Sequence, residues 1–191
     1  MGRVVLIEVF QVNCPGCFLY SLPQAVDLHQ RYYDKGLSVI GMATAFEDFD
    51  KNNLQNLELL ISQDKVIGEP LRVLDKENRL INGQLPYHIP FPVAMDKISK
   101  QQEEITDDEI TRFINQHIPD FSHHNQDEQK QIQQKALDYL QSELYTPETF
   151  TLYALRGTPS HIVVDKKGDL SACEFGYFSE LEWIISNLLQ E

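Results

Sequence analysis

Cysteine, basic residues and long apolar runs are all scarce in this 191-residue sequence. It has three cysteines, and its 29 acidic residues outnumber 16 basic ones, which gives a formal net charge of −13. This charge argues against nucleic acid and against an anionic membrane as the main partner, because both would repel the protein. No apolar run approaches the roughly 20 residues that cross a bilayer. Three cysteines are also too few for a disulfide scaffold in a chain of this length.

The sequence starts at Met1 and enters an apolar segment within a few residues, without the pattern of a secretory signal. If Met1 is the native start, we expect a cytoplasmic protein. If a leader was removed ahead of it, we expect a periplasmic one.

The beginning of the chain predicts a strand–helix–strand unit. Residues 4–10 form an apolar run typical of a buried strand, residues 14–33 have helical spacing, and residues 37–43 form a second apolar run. Pro23 falls inside the helix and should kink it, while Gly36 is suited to a left-handed cap. A crossover of this length implies that the two strands are parallel.

The next segment is less regular. Residues 47–65 predict a helix with an acidic start, and the Gly-Glu-Pro sequence at 68–70 should end it. Residues 71–74 fit a short strand or a helical turn equally well. A proline-rich loop then leads to residues 91–96, which predict a short strand.

Residues 97–148 differ from the rest of the chain in composition, with eleven acidic residues against five basic ones. Thr106 and Glu109 form a capping-box pattern that begins one amphipathic helix, and residues 127–144 predict a second. We interpret 97–148 as a helical insertion in an α/β frame and as a candidate surface for a protein partner.

The end of the chain returns to the α/β pattern. Residues 161–165 and 170–176 predict a β-hairpin, and Ser179 is placed to cap a terminal helix. We expect Trp183 to lie in the core beneath that helix. We expect Cys173 to be a small apolar core residue, since unpaired cysteines are usually buried.

Cys14, Pro15, Gly16 and Cys17 form a Cys-x-x-Cys pair between the first strand and the start of its helix. Free N–H groups and the positive end of the helix dipole favour a thiolate at Cys14. Cys14 is therefore the predicted nucleophile, and Cys17, one turn further and less exposed, would resolve the mixed disulfide. Pro15 fixes φ without losing a needed donor, and Gly16 leaves a bare surface for a partner's backbone.

Two other interpretations of the cysteine pair remain open. It is either one half of a zinc site or chemically inert. Zinc usually needs four ligands, and the sequence has no second Cys-x-x-Cys; the histidines at 123–124 lie in the insertion. The sequence therefore favours a redox pair without a metal.

The order of these motifs resembles the thioredoxin superfamily. A strand, Cys-x-x-Cys, a helix and a strand are followed by Gly-Thr-Pro at 157–159, a hairpin and a closing helix. With residues 2–6 and the Phe-Pro-Val at 91–93, the chain is most similar to the TlpA-like and redoxin (AhpC/TSA-related) thiol-disulfide oxidoreductase branch. The resemblance covers residues 2–96 and 150–191.

This resemblance implies an α/β thioredoxin fold, with a central mixed β-sheet flanked by helices and a helical insertion before the cis-proline strand. Residues 1–191 would form a single thioredoxin-like domain, with 97–148 inserted in it. The sequence departs from the family at the insertion, in lacking an extra N-terminal hairpin, and at 11–13, where the usual tryptophan is missing.

The resemblance also implies roles for residues outside the cysteine pair. Pro159 would follow a cis peptide bond, and Thr158 would offer backbone hydrogen bonds to a bound peptide. Glu8 would be a buried acid that accepts the proton of Cys17. The alternatives are an ordinary trans turn at Pro159, and a Glu8 that points outward or binds a structural partner. His161 lies close to this loop but is interpreted as a packed strand histidine.

The function implied is that of a thiol-disulfide oxidoreductase without a cofactor. It would act on a protein or small-molecule disulfide and depend on an upstream electron donor. A thiol peroxidase of the redoxin type is an alternative, although Gln11 replaces the threonine that peroxidases place three residues before the cysteine. A non-enzymatic binding module is another.

Overall fold

The computed structural model describes residues 2–100, 105–118, 120–143 and 145–191. Its described residues form two compact units. One unit consists of the chain up to Lys97 together with Pro147–Glu191, and the other is Ile98–Thr146. No helix in the described ranges is both long and apolar enough to cross a membrane.

Seven strands and seven α-helices follow one another along the described chain. The strands are β1 (Val4–Phe10), β2 (Leu37–Ala43), β3 (Val93–Met95), β4 (Ile98–Lys100), β5 (Tyr145–Pro147), β6 (Ser160–Val164) and β7 (Leu170–Phe175). The helices are α1 (Leu22–Tyr32), α2 (Leu54–Gln63), α3 (Gly68–Lys76), α4 (Asp107–His117), α5 (Gln126–Glu143), α6 (Glu148–Leu152) and α7 (Leu181–Gln190).

The larger unit is built on a five-stranded mixed sheet with the strand order β3-β2-β1-β6-β7. The strand β1 is central: it pairs in parallel with β2 and antiparallel with β6. The strands β2 and β3 are parallel, and β6 and β7 form the antiparallel hairpin. Both the predicted mixed sheet and the predicted parallel pair at the start of the chain are confirmed.

The apolar run of β1 is buried because helices or loops cover the sheet around it. Leu6 and Phe10 are fully buried, as is Leu28 of α1. On α7, Leu181 and Ile185 are buried and lie one helical turn apart. The prediction that Trp183 lies in the core is wrong: its side chain is 67% exposed. It stands two residues from each buried position, which places it on the opposite face of the helix.

The helix that follows the cysteine pair changes type along its length. Residues 17–21 form a π-helical turn, and α1 begins at Leu22, whose N–H donates to the carbonyl of Cys17. Pro23 is then the second residue of α1, where a backbone donor is not needed. The kink expected at Pro23 is replaced by this switch in hydrogen-bond register. Gly36 has φ 107°, in agreement with the left-handed cap.

Two helix boundaries differ from the sequence-based expectation. The helix α2 begins at Leu54, after Asn53 caps it by accepting from the N–H of Asn56, so the acidic residues before it form turns. Residues 71–74 lie in α3, which begins at Gly68. The Gly-Glu-Pro segment starts this helix because proline is tolerated in a first helical turn. Ser179 is not a cap either, since Glu180 precedes α7 and makes no side-chain capping bond.

The smaller unit contains α4, α5 and the two-stranded sheet of β4 and β5. Thr106 and Glu109 form the expected reciprocal capping box at the start of α4. Phe113 of α4 stacks on Tyr139 of α5, with ring centroids 5.2 Å apart. The two short strands were not predicted. Residues 101–104, 119 and 144 of the predicted insertion lie outside the described residues.

Asp96, at the end of β3, is a buried carboxylate with three donors. Its oxygens accept from the Thr44 hydroxyl at 3.0 Å and from the backbone N–H groups of Thr149 and Phe150 at 2.9 and 3.1 Å. The carboxylate thereby caps the short helix α6 and ties it to the carboxyl ends of β2 and β3. No sequence pattern indicated this contact, because its partners are more than 50 residues away.

We expect Asp96→Ala to lower the free energy of unfolding by about 1–3 kcal/mol, because it leaves a buried hydroxyl and two N–H groups without their acceptor. Urea denaturation measures the change. Asp75→Ala, on the exposed face of α3, is the matched control and should change stability by less than about 0.5 kcal/mol. Equal effects from the two substitutions would contradict the structural role given to Asp96.

Candidate active site

The strand β1 leads through a short turn to the two cysteines. The N–H of Cys14 donates to the carbonyl of Gln11 at 3.1 Å, and the N–H of Cys17 donates to the carbonyl of Cys14 at 3.1 Å. The Cys17 N–H also lies 3.4 Å from the Cys14 sulfur. Both cysteines are free thiols, with Cys14 partly exposed and Cys17 fully buried. The helix start therefore presents one sulfur outward and holds the other inside.

Asn13, the residue before the pair, anchors this turn from three directions. Its N–H donates to the side chain of Asn52 at 2.8 Å, and its amide donates to Asp48 at 2.7 Å. Its side-chain oxygen accepts the N–H of Glu69, in the first turn of α3, at 2.9 Å. A Cβ on Gly68 would lie 2.0 Å from that oxygen, so this contact requires glycine. The sequence analysis missed Asn13, because its partners come from two distant segments.

The loop before β6 lies against the cysteine pair. The Thr158–Pro159 peptide bond is cis. The Cys14 sulfur lies 3.5 Å from the carbonyl oxygen of Thr158, to which its protonated form donates. The Pro159 ring is in van der Waals reach of Gly16, with its Cδ 3.7 Å from where a Cβ would stand.

A second contact fixes the loop through Gln11, which the sequence analysis had noted only as a departure from the peroxidase motif. The Thr158 hydroxyl donates to the side-chain oxygen of Gln11 at 3.1 Å, and Gln11 is buried. On the other side, the Pro159 carbonyl accepts the N–H of Gly176 at 2.8 Å. The predicted site residues Cys14, Gly16, Thr158 and Pro159 thus lie together, while the binding role of the last two stays a prediction.

The two thiols have pKa values displaced in opposite directions. The hydrogen bond with Cys17 is the main cause that lowers the pKa of Cys14 to about 6. Burial opposes this, while hydrogen bonding with Thr158 and with the backbone N–H groups of Cys17 and Gly16 lowers the pKa further. Burial raises the pKa of Cys17, and the hydrogen bond and charge of Cys14 raise it further, followed by the charge of Glu8. At neutral pH the outer sulfur is a thiolate and the inner one a thiol.

Glu8 lies inside the sheet and binds His161. The two residues are directly opposite in the antiparallel register of β1 and β6. A Glu8 oxygen, Oε2, lies 2.7 Å from Nδ1 of His161, and both side chains are almost completely buried. The alternative in which Glu8 points outward is therefore wrong, and its bond to His161 had not been predicted. Only the register of β1 against β6 brings the two residues together, so local sequence patterns did not indicate the contact.

The imidazole of His161 is held at both ring nitrogens. Its Nε2 lies 3.0 Å from the carbonyl oxygen of Gly176, in addition to the Nδ1 contact with Glu8. Burial lowers the pKa of His161, but the hydrogen bond and charge of Glu8, with the Gly176 carbonyl, outweigh it, and the net effect is a raised pKa. The other oxygen of Glu8, Oε1, is buried and has no hydrogen-bond partner among the described residues.

Cys173 does not join this site. It is half-buried on the edge strand β7, where it lines a cleft of about 310 Å³ with Tyr153, Arg156, Glu174 and others. Its predicted place in the core is wrong, because β7 is the edge strand of the sheet that the described residues form. Burial and the charge of Glu174 raise its pKa.

The histidines at 123–124 belong to the smaller unit, whereas the cysteine pair belongs to the larger one. They face Asp120 and Glu128 respectively. In the part of the chain that the structure describes, no three His, Cys, Asp or Glu side chains are grouped so that they could hold a metal ion.

Comparison with solved structures places this arrangement in a known fold. A thiol-disulfide isomerase from Corynebacterium glutamicum aligns over the whole of this chain and 83% of its own, with 25% identity and a TM-score of 0.59. A thioredoxin-like superfamily protein aligns over the whole of this chain and 82% of its own, with 24% identity and a TM-score of 0.57. A scan against protein-family models and a search of curated proteins gave no match.

The chain therefore has the thioredoxin-like α/β fold that its motifs predicted, and the resemblance to the thioredoxin superfamily is confirmed at the level of the fold. Within that fold it presents a Cys-Pro-Gly-Cys pair facing a cis-proline loop. A thiol-disulfide isomerase is among its structural neighbours.

We expect the alkylation rate of Cys14 to rise with pH through a midpoint at about 6, because the thiolate is the reacting species. Iodoacetamide labelling followed by mass spectrometry measures it, in a Cys173→Ser background. Cys17→Ala removes the main hydrogen bond to Cys14, so it should move the midpoint upward, toward that of an ordinary thiol. A wild-type midpoint already in the ordinary range would refute the described electrostatics.

Proposed function

We propose that this protein is a thiol-disulfide oxidoreductase that reduces or exchanges disulfides with the dithiol of Cys14 and Cys17. The observation that supports this most directly is the inequality of the two sulfurs. Cys14 is partly exposed with a lowered pKa, while Cys17 is buried with a raised one. Such a pair has one sulfur ready to attack and one held in reserve. The thiol-disulfide isomerase among the structural neighbours supports the same chemistry.

In the first step, the Cys14 thiolate attacks one sulfur of the substrate disulfide. A bond forms between that sulfur and Cys14, the substrate S–S bond breaks, and the departing thiolate takes a proton from water. In the second step, Cys17 loses its proton and attacks the sulfur of Cys14. The second substrate thiolate leaves, and a Cys14–Cys17 disulfide remains. An upstream dithiol donor then returns two electrons to the pair.

The remaining site residues support these steps in the proposal. Thr158 and the cis-proline loop would hold an extended segment of a protein substrate beside Cys14, by backbone hydrogen bonds. Pro15 and Gly16 keep the helix start narrow, and Gly16 leaves room beside Pro159. Glu8 would accept the proton of Cys17. The charge of Glu8 contributes to the raised pKa of Cys17, although burial and Cys14 contribute more.

We expect the wild-type protein to accelerate the reduction of insulin disulfides in the presence of a dithiol donor. Cys14→Ser should reduce this activity to the uncatalysed rate, because no nucleophile remains. Cys173→Ser, which removes a thiol outside the site, should retain it and is the matched control. Precipitation of the insulin B chain gives the rate. Wild-type protein that does not exceed the donor alone would refute the proposal.

The same samples distinguish the two alternatives. A thiol peroxidase would consume hydrogen peroxide faster than it reduces insulin, and a binding module would do neither. Gln11 occupies the position at which the peroxidase motif has threonine, and its side chain is bound to Thr158. This contact gives no support to a peroxidase.

We also propose that residues 98–146 provide the surface for a protein partner. The segment leaves and re-enters the larger unit at one point: the N–H of Glu148 donates to the carbonyl of Lys97 at 2.9 Å, and the two side chains form an ion pair at 2.8 Å. Because its ends are adjacent, the segment is not needed to connect the two halves of the sheet. Its excess of acidic residues suits a basic partner surface.

We expect replacement of residues 99–146 by a short glycine linker to leave reduction of a small aromatic disulfide within about twofold, since the site lies wholly in the larger unit. Disulfide transfer to the physiological protein partner should be lost. A matched variant that keeps the segment but reverses exposed acids, Asp107→Lys with Asp108→Lys, should weaken transfer alone. Loss of both activities on excision would contradict this assignment.

A further inference from the structure

His161 has a hydrogen-bond acceptor at each of its two ring nitrogens. The carbonyl of Gly176, 3.0 Å from Nε2, can only accept, so Nε2 carries a proton. Glu8 lies 2.7 Å from Nδ1. One further proton must lie between Nδ1 and the carboxyl group, since two bare lone pairs would repel at this distance. The pair therefore holds a shared proton in a fully buried site.

Two placements of that proton satisfy the distances: an imidazolium with a carboxylate, or a neutral imidazole with a carboxylic acid. The imidazolium is favoured by geometry, because an acceptor lies at each ring nitrogen and 2.7 Å is the length of a charge-assisted hydrogen bond. The Glu8 hydrogen bond and charge, acting against burial, raise the pKa of His161 in the same direction. The carboxylate then uses Oε2 for His161, and its Oε1 has no donor among the residues that the structure describes. This free oxygen is a proton acceptor in the interior of the protein.

We infer that His161 is a positioning residue for the proposed dithiol reaction: it binds Oε2 of Glu8 and supplies the positive charge that lets this buried acid accept the proton of Cys17 on Oε1. The inference rests on the proposed function. It gives His161 a role that could not be inferred from the Cys-x-x-Cys pair or from the cis-proline loop.

The proton balance shows why the histidine matters. Before resolution, Cys17 is a neutral thiol and the Glu8–His161 pair has no net charge. After transfer, Cys17 is a thiolate, Glu8 is a carboxylic acid and His161 remains an imidazolium, so the buried site is still neutral. The Cys17 sulfur then attacks Cys14, the substrate thiolate leaves and takes a proton from water, and Glu8 returns its proton to solvent. Without His161, the same step would need two buried anions in succession.

The residues opposite the Glu8–His161 pair on the neighbouring strands bring no buried charge to it. On β2, the residue opposite Glu8 is Gly41, which has no side chain. On β7, Glu174 is opposite His161 in register, but its side chain is exposed. Phe178 packs on the imidazole with ring centroids 6.1 Å apart. On the helix that follows β1, the charge of Glu8 raises the pKa of Cys17, although burial and Cys14 have larger effects on it.

The test separates the two sulfur steps in one measurement. Reduced protein in the Cys173→Ser background is mixed with dithiobis(nitrobenzoate), which releases one coloured thiolate when Cys14 attacks and a second when Cys17 resolves the adduct. We expect His161→Asn to slow the second release by about tenfold or more and to leave the first within twofold. Asparagine keeps a hydrogen-bond donor near Glu8 but cannot carry the positive charge of the imidazolium. His29→Gln, a histidine of α1 outside the site, is the matched control.

The pH profile gives a readout that a merely structural role would not move. In His161→Asn, the second release should become about tenfold faster per pH unit, since Cys17 must ionise to solvent, whereas in the wild type it should change little between pH 6 and 8. Equal slowing of both releases, or an unchanged second release, would overturn the inference. Absence of the second release in the wild type would instead refute the proposed dithiol function.

A measurement on the unsubstituted histidine decides the matter if His161→Asn does not fold. Nitrogen-15 NMR of the reduced protein should show both ring nitrogens of His161 protonated at neutral pH. A neutral ring, with its proton only on Nε2, would overturn the inference.

Discussion

The antiparallel pairing of β1 with β6 is the interaction on which the rest of this molecule depends. It aligns Glu8 with His161, residues 153 positions apart in the chain. It also brings the loop before β6 against the cysteine pair that follows β1, so that Thr158 meets Cys14. The polar contacts that join Glu8, Gln11 and Cys14 to residues after 157 all depend on the register between β1 and β6. A shift of one residue would place Glu8 and His161 on opposite faces of the sheet.

The two cysteine side chains of the candidate site are chemically identical but differ in burial and in pKa. Cys14 and Cys17 are three residues apart, and each is the other's hydrogen-bond partner. Exposure and donors favour charge on the outer sulfur, while burial disfavours it on the inner one. The thiol of Cys17 therefore stabilises the Cys14 thiolate, and in the proposed mechanism it later attacks the Cys14 sulfur of the mixed disulfide. After burial and Cys14, the charge of Glu8 also raises the pKa of Cys17. Glu8 is paired with His161, and a paired carboxylate costs less to bury than a lone one.

The sequence predicted the fold better than it predicted the contacts. The strands at 4–10 and 37–43, the hairpin and the capping box at Thr106 follow from local patterns, and the motif order identified the fold. Trp183 was misplaced because a helical stripe does not say which of its large side chains faces inward. The contacts of Asn13 and Asp96 could not have been predicted, since each side chain binds backbone N–H groups of distant segments. The short strands β4 and β5 have too few residues for a period to be visible.

His161 illustrates the limit most clearly. A histidine in a buried strand is usually a packed residue, and only the register of β1 against β6 shows that its neighbour is an acid. Likewise, the cysteine motif is local in sequence, but the carbonyl that contacts Cys14 comes from a residue 144 positions later. Local patterns identified the candidate cysteines, and the tertiary structure shows the distant groups that shift their pKa values.

The distance along the chain between the cysteines and their partners has a consequence for the timing of synthesis. A nascent chain contains Cys14 and Cys17 from its first moments, but Thr158, His161 and Gly176 are added only near the end. Until β6 pairs with β1, the inner sulfur has no buried acid behind it and the outer one has no loop beside it. The contact of Cys14 with the Thr158 loop and the pairing of Glu8 with His161 are therefore completed only when the last strands are in place.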